Sequence, residues 1–138
     1  MAVEVNWYDD TESVLHWQFI GQWHRAEYFE HLPTYKRLGS VKPHMLAVIL
    51  DFRRNKSEGR NALTMFRSGE SESADNVEIV VIVGNTWINS MVNLYSHIHG
   101  SRFQLKAVPT LEDALGLIYT LRGGKGILTP RTDTGSTG

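Results

Sequence analysis

The feature that most constrains the fold is a short apolar run at residues 46–50, LAVIL, which has no polar position for an exposed face. A run of this length, rich in branched side chains, is typical of a strand covered on both faces, as in a parallel sheet flanked by helices. A buried helix is the alternative, but the run is too short and too β-branched to favour it. Residues 77–83, VEIVVIV, repeat the pattern. We therefore predict two adjacent, parallel strands at the centre of one sheet.

Apolar and polar residues alternate twice within the first twenty positions, on either side of a turn at residues 9–12, DDTE. Alternation with a period of two indicates strands with one buried face. The parity puts both apolar sets on the same face of a hairpin, which Gly21 ends. The apolar residues are Val3, Val5 and Trp7 before the turn, and Leu15, Trp17 and Phe19 after it.

Four segments have the spacing of amphipathic helices. They are residues 22–38, 61–68, 88–98 and 110–118. Pro33 lies inside the first and is expected to kink or split it. Thr110 with Asp113 resembles a capping box at the start of the last. A short strand at residues 103–107 precedes that last helix.

These elements predict an α/β fold, a mixed five-stranded sheet flanked by about four helices in the order ββαβαβαβα. Strand–helix–strand units cross over right-handedly and make parallel pairs, and the hairpin adds one antiparallel pair. A chain of 138 residues suits a single domain, which we place at residues 1–122. Residues 123–138 are rich in Gly, Thr and Ser, and we expect a disordered tail.

Composition excludes several classes of function. The formal net charge of −1 argues against a nucleic-acid-binding protein, and the absence of cysteine excludes disulfides and thiol chemistry. No segment approaches the roughly 20 apolar residues that span a bilayer, so no membrane partner is expected. The first residues carry no signal peptide pattern, so we expect a cytoplasmic protein.

The order of elements resembles the STAS domain, the SpoIIAA-like fold of anti-sigma factor antagonists, and most closely a group of small bacterial proteins with that fold. The similarity covers roughly residues 3–121. Its residues are Gly21-Gln22-Trp23 at the first helix, Leu50-Asp51 and Val83-Gly84 closing two strands, Phe103, and Thr110-Leu111-Glu112-Asp113-Ala114.

This resemblance implies a regulatory, non-enzymatic domain that binds another protein and that is a candidate homodimer. In some members a serine is phosphorylated within Asp-Ser-Ser-Gly, at the start of the helix after the central strand. Here that position reads Lys56-Ser57-Glu58-Gly59, in which Ser57 and Gly59 match and the leading Asp is absent. Ser57 is therefore the phosphorylation candidate that the resemblance implies.

A basic segment follows the central strand. Its cations are Arg53, Arg54, Lys56, Arg60 and Arg67. They could bind a phosphate, a phosphoprotein or an acidic partner, helped by the amide groups of a helix beginning near Gly59. The alternative is a solvated surface whose charge is balanced by acidic residues 70–75. We interpret Arg53, Arg54 and Arg60 as binding residues.

Asp51 ends the central strand, where α/β folds place ligands. Its carboxylate could act as a base or bind a cation, or it could accept backbone N–H bonds and hold the next loop. No acidic or histidine partner lies near it in the sequence, which favours the structural interpretation. The alternative function is a small-ligand or nucleotide sensor with a pocket near Asp51, Phe52, Gly84 and Trp87.

The remaining candidates are tryptophans and histidines. Trp23 and Trp87 begin helices and could line an interface or a pocket, whereas the hairpin tryptophans belong to the core. His97 and His99 are two residues apart, which on a helix directs them to different faces. The other histidines are scattered, and no metal or cofactor motif is present. We therefore expect no metal, no cofactor and no catalytic set.

Overall fold

The computed structural model describes residues 3–56, 76–84 and 104–123. These residues form five strands and two helices. In chain order they are β1 (Val3–Trp7), β2 (Val14–Phe19), α1 (Arg25–Ser40), β3 (Leu46–Asp51), β4 (Val77–Val83), β5 (Gln104–Val108) and α2 (Leu111–Leu121).

The five strands form one mixed sheet in the order β1-β2-β3-β4-β5. β1 pairs with β2 antiparallel, and every other pair is parallel. The predicted α/β class, the mixed five-stranded sheet and the adjacent parallel pair β3–β4 are confirmed. Two of the predicted helices, at residues 61–68 and 88–98, and the predicted tail from residue 124 onward lie outside the described residues.

The hairpin has the register that the alternation predicts. Val3 lies opposite Phe19, Val5 opposite Trp17 and Trp7 opposite Leu15, so both apolar sets share one face. Gly21 follows with φ +63°, a left-handed conformation that glycine adopts at no steric cost. The turn at Gly21 returns the chain toward α1.

The sheet is covered on both faces, because α1 and α2 lie on opposite sides of it. The α1 layer buries the hairpin face and alternate residues of the central strands: Val3, Leu15, Trp17, Phe19, Tyr28, Leu32, Tyr35, Leu46, Val48, Val80 and Ile82. The α2 layer buries the other face: Val14, Ala47, Ile49, Ile79, Val81, Val83, Ala114 and Ile118. Double coverage explains why residues 46–50 contain no polar position.

Helix α1 runs from Arg25 to Ser40 without interruption, although Pro33 lies in its interior. Of the two outcomes expected for Pro33, a kink or a split, the split does not occur, and the predicted start of the helix at residue 22 is wrong. The His24 N–H donates to Glu27 Oε1 at 3.0 Å, which satisfies one amide at the beginning of the helix. Tyr28, Leu32 and Tyr35 then pack on the sheet, and that burial offsets the hydrogen bond that proline removes.

Helix α2 is capped, as predicted, by Thr110, whose Oγ1 accepts a hydrogen bond from the Asp113 N–H at 3.0 Å. The helix ends at Leu121, and Gly123, which follows with φ +70°, donates to the Thr120 carbonyl at 2.9 Å. Within the described ranges, neither helix is long and apolar enough to cross a membrane.

Candidate functional site

Asp51 is the last residue of β3, and its side chain lies on the same face of the sheet as α2. Although this position is at a strand end, the carboxylate is only 4% exposed. Oδ1 accepts hydrogen bonds from the Arg53 N–H at 3.0 Å and from Arg53 Nε at 2.9 Å, and Oδ2 accepts one from Arg53 Nη2 at 2.7 Å. The Asp51 carboxylate therefore holds both the backbone N–H and the guanidinium of Arg53.

His16, on the neighbouring strand β2, makes the fourth hydrogen-bonding contact of this carboxylate. Its Nε2 lies 2.9 Å from Asp51 Oδ2. The β2–β3 register places His16 beside Ile49, two residues before Asp51, so that the side chains of His16 and Asp51 share a face. The Tyr8 ring meets the imidazole edge-on, with 6.0 Å between ring centroids.

These contacts set the protonation of the cluster. Burial by itself raises the pKa of Asp51, but hydrogen bonds from His16 and Arg53 outweigh it and hold that pKa well below its usual value. The hydrogen bond to Asp51 raises the pKa of Arg53. Burial raises the pKa of Tyr8, an effect that the Arg53 cation opposes. Asp51 is therefore an anion at neutral pH.

The Asp51 carboxylate has no acceptor capacity left for a ligand. A carboxylate offers about four lone-pair positions, and four donor contacts occupy them here. A general base or a cation ligand needs at least one such position. The interpretation of Asp51 as a residue that holds the next loop is thus favoured over a catalytic or metal-binding one.

The loop after β3 is also tied to the segment after β2. Gly21 donates to the Arg54 carbonyl at 2.8 Å and accepts from the Lys56 N–H at 2.8 Å, as in a short parallel bridge with Asn55 between. Trp23 Nε1 donates to Asn55 Oδ1 at 2.6 Å. The backbone of residues 53–56 is therefore fixed at both ends.

We call residues 53–56 the basic loop. The side chains of Arg53, Arg54 and Lys56 are all exposed, and only Arg53 is held by Asp51. Trp23 lies beside this loop, half-buried, with its ring 4.9 Å from Phe19 between centroids. The structure thus brings four predicted site residues together: Asp51, Arg53, Arg54 and Trp23. The predicted residues Ser57, Arg60 and Trp87 lie outside the described residues.

Besides Asp51, two residues of the pocket predicted at the carboxyl ends of the strands lie within the described ranges. Phe52 is buried and stacks on Phe19, with 4.3 Å between ring centroids. Gly84 donates to the Val108 carbonyl at 3.4 Å. Phe52 therefore packs at the end of its strand, and Gly84 pairs with the end of β5.

A second polar cluster, which the sequence analysis missed, lies at the opposite end of the sheet. Asp9 is buried, and its carboxylate accepts hydrogen bonds from the Ser13 and Val14 amides, both at 2.9 Å. It also accepts from the hydroxyl groups of Thr11 and Ser13, at 2.5 and 2.6 Å. These bonds hold the pKa of Asp9 below its usual value against the effect of burial. The acidic turn at residues 9–12 therefore contains a structural carboxylate.

Arg122 connects this cluster to the end of α2. Its Nη1 donates to Ser13 Oγ at 2.9 Å, its Nη2 to the Ser13 carbonyl at 3.1 Å, and its Nε lies 3.4 Å from Glu78 Oε2. An open cleft of about 430 Å³ lies here, lined by Thr11, Ser13, His44, Met45, Glu78 and Arg122. Across the described part of the chain, no group of three or more His, Asp or Glu side chains is arranged to hold a metal ion.

The fold and the two clusters define an α/β domain with a mixed five-stranded sheet, a fixed basic loop at one end and a cleft at the other. The sequence matches no known protein-family model, and neither curated proteins nor solved structures give a significant match.

Proposed function

We propose that this chain is a non-enzymatic, STAS-like binding domain whose basic loop receives an acidic surface of a partner protein. The observation that carries the proposal is the fixation of an exposed cationic loop. Gly21 pairs with its backbone on both sides, Asp51 orients Arg53, and Trp23 holds Asn55. The loop presents its charges from a backbone that is already ordered.

An ordered loop is a better binding surface than a disordered one, because the entropy cost of ordering it does not oppose association. Arg54 and Lys56 are exposed, and among the described residues the ion pair of Asp51 in this loop is with Arg53. Arg53 is exposed as well, and its orientation by Asp51 fixes the direction in which its remaining N–H groups point. These features favour charge-assisted hydrogen bonds to carboxylates or phosphates.

The chemistry of the cluster favours binding over catalysis. Asp51, the titratable group at the position where α/β folds place ligands, uses all four acceptor positions on His16 and Arg53. Catalysis at this point would first have to break those bonds. The resemblance of the sequence to STAS domains implies a protein as the partner.

The test compares two variants that change the net charge equally. Arg54→Glu with Lys56→Glu reverses the basic loop and leaves the Asp51–Arg53 pair in place. Lys36→Glu with Arg37→Glu, on the exposed side of α1, is the matched control. Each protein is used as bait in a lysate of the source organism, and retained proteins are quantified by mass spectrometry at low and high salt.

We expect a specific partner that the wild type and the α1 control retain and that the loop variant loses. Retention should fall with salt, because exposed charges are screened over about 8–10 Å at physiological ionic strength. Equal retention by the loop variant and the control would overturn the proposal. Retention of the same chain alone would indicate a homodimer instead.

A further inference from the structure

Strand β1 forms one edge of the sheet, with β2 on one side of it and, among the described residues, no strand on the other. Tyr8, directly after β1, donates its N–H to the Val14 carbonyl at 2.7 Å. Hydrogen-bonded and non-hydrogen-bonded pairs alternate along an antiparallel ladder, so the N–H and C=O groups of Val5 and Trp7 point away from β2. Within the described ranges these backbone groups have no hydrogen-bond partner.

The apolar face of β1 is less well covered than that of its neighbour β2. Leu15 and Trp17 of β2 are buried in the α1 layer, 0% and 1% exposed. Trp7 and Val5, which lie directly opposite them on β1, are only half-buried. The apolar surface of the hairpin therefore continues to the edge of the sheet, where a further strand would bury it.

Edge strands commonly carry a feature that prevents pairing with another chain, such as a lysine, a proline or a β-bulge. β1 reads VEVNW, without Lys or Pro, and its register with β2 runs through five residue pairs without a shift. The strand at the other end of the sheet order, β5, differs because it carries the exposed Lys106. Of these two strands, β1 is the one whose edge is suited to accept another strand.

We propose that β1 pairs antiparallel with β1 of a second copy of this chain, which joins two sheets edge to edge about a twofold axis at Asn6. Val3 is buried, whereas the side chain of Asn6 is exposed, so the accessible part of the edge is centred on Asn6. This register places Val5 of each copy opposite Trp7 of the other. Both contacts are hydrogen-bonded pairs that use the outward N–H and C=O groups of Val5 and Trp7. The two Asn6 side chains then face each other across the axis.

The reason to assign a second copy is that β1 is complementary to itself in this register. Each contact of Val5 with Trp7 joins a β-branched and an aromatic side chain on one face, a pairing that stabilises sheets. Glu4, the one charged residue of β1, lies opposite Tyr8 of the second copy, so no like charges meet. Self-complementarity of this kind is what a symmetric dimer requires. The basic loop takes no part in the contact, so this inference stands independently of the proposed function.

The test places like or opposite charges on the two sides of the axis. Asn6→Lys adds a cation at an exposed position and leaves the backbone bonds to β2 in place, so the fold should be kept, which circular dichroism checks. Gln104→Lys, also exposed and on β5, is the matched control with the same change of charge. Sedimentation equilibrium of the full chain gives the dimer dissociation constant of the wild type and of each variant. The same measurement is made on an equimolar mixture of Asn6→Lys and Asn6→Glu.

We expect the wild type to form a reversible dimer. Asn6→Lys should raise its dissociation constant about tenfold or more, because two cations then face each other, and Gln104→Lys should change it by less than about twofold. Mixing Asn6→Lys with Asn6→Glu should restore dimers, because opposite charges then meet at the axis. A wild type that stays monomeric, an equal effect of Gln104→Lys, or a mixture that does not restore dimers would each overturn the proposal.

Discussion

His16 and Asp51 are 35 positions apart in the chain, yet His16 Nε2 lies 2.9 Å from Asp51 Oδ2 across the β2–β3 pair. With Arg53 they form one closed set of hydrogen bonds at the carboxyl end of the parallel strands. These hydrogen bonds lie at the start of the basic loop and determine the direction of the Arg53 guanidinium. Their stability and their dependence on pH therefore report on the integrity of the proposed binding surface.

Replacing Asp51 by Asn should lower the free energy of unfolding by about 2–3 kcal/mol near neutral pH, because charge-assisted bonds to a buried group are lost. The folded-state pKa of Asp51 is depressed, so its contribution is complete above the unfolded-state pKa of about 3.9 and is lost as the pH falls below it. Urea unfolding at several pH values measures this. The difference between wild type and variant should shrink below about pH 4, and a constant difference down to pH 2 would contradict the assignment.

Arg53 and Arg54 are adjacent, exposed cations that should behave differently on replacement by Ala. Arg53→Ala removes two side-chain hydrogen bonds from a buried carboxylate, and we expect a loss of about 1–2 kcal/mol. Arg54→Ala should change stability by less than about 0.5 kcal/mol. Thermal unfolding of the two variants side by side decides this, and equal melting temperatures would mean that Asp51 does not depend on Arg53. The sequence alone gave no reason to separate these two residues, since both were interpreted as exposed binding cations.

Asp9 and Asp10 offer a second matched pair. The Asp9 carboxylate is buried and accepts four hydrogen bonds within the hairpin turn, whereas Asp10 is exposed. Asp9→Ala should cost about 2–3 kcal/mol, because the Ser13 and Val14 amides lose their acceptor. Asp10→Ala should be within about 0.5 kcal/mol of the wild type. Chemical denaturation of both variants tests this, and a similar effect of the two substitutions would show that the turn does not depend on the buried carboxylate.

Pro33→Ala should stabilise the protein. Pro33 lies in the interior of α1, and its side chain is exposed. Because proline has no N–H, it cannot donate the helical hydrogen bond to the Phe29 carbonyl, four residues earlier. Alanine restores that donor, and we expect a gain of about 1–3 kcal/mol. Thr34→Ala, at the next position of the same helix, is the control. A loss of stability in Pro33→Ala would mean that proline contributes more by limiting the unfolded chain than it removes from the helix.

The sheet was predictable because its signals are local. Residues 46–50 and Val77–Val83 are apolar on both faces because α1 and α2 cover both faces of the sheet, and the hairpin alternates because both its strands direct one set of side chains toward α1. The cap at Thr110 was predictable because it is also a local contact: its hydrogen bond joins Thr110 and Asp113, which are three positions apart.

The site was less predictable because its contacts are not local. Asp51 had no acidic or histidine neighbour in the sequence, and His16 became its partner only through the β2–β3 pairing and register. The signal that was present is parity: His16 lies on the face of β2 opposite Leu15 and Trp17, and that face also carries Asp51. Arg122 likewise reaches Ser13 across 109 positions, which no periodicity in the sequence could indicate.

The most direct test of the central claim is site-specific photo-crosslinking in living cells, with a benzoylphenylalanine at position 54 and, separately, at positions 36 and 112. All three positions are exposed, and they lie in the basic loop, on α1 and on α2 respectively. The proposal predicts a discrete adduct with another protein from position 54 that is absent from the other two. The same adduct from position 36 or 112, with none from position 54, would contradict the assignment of the basic loop as the binding surface.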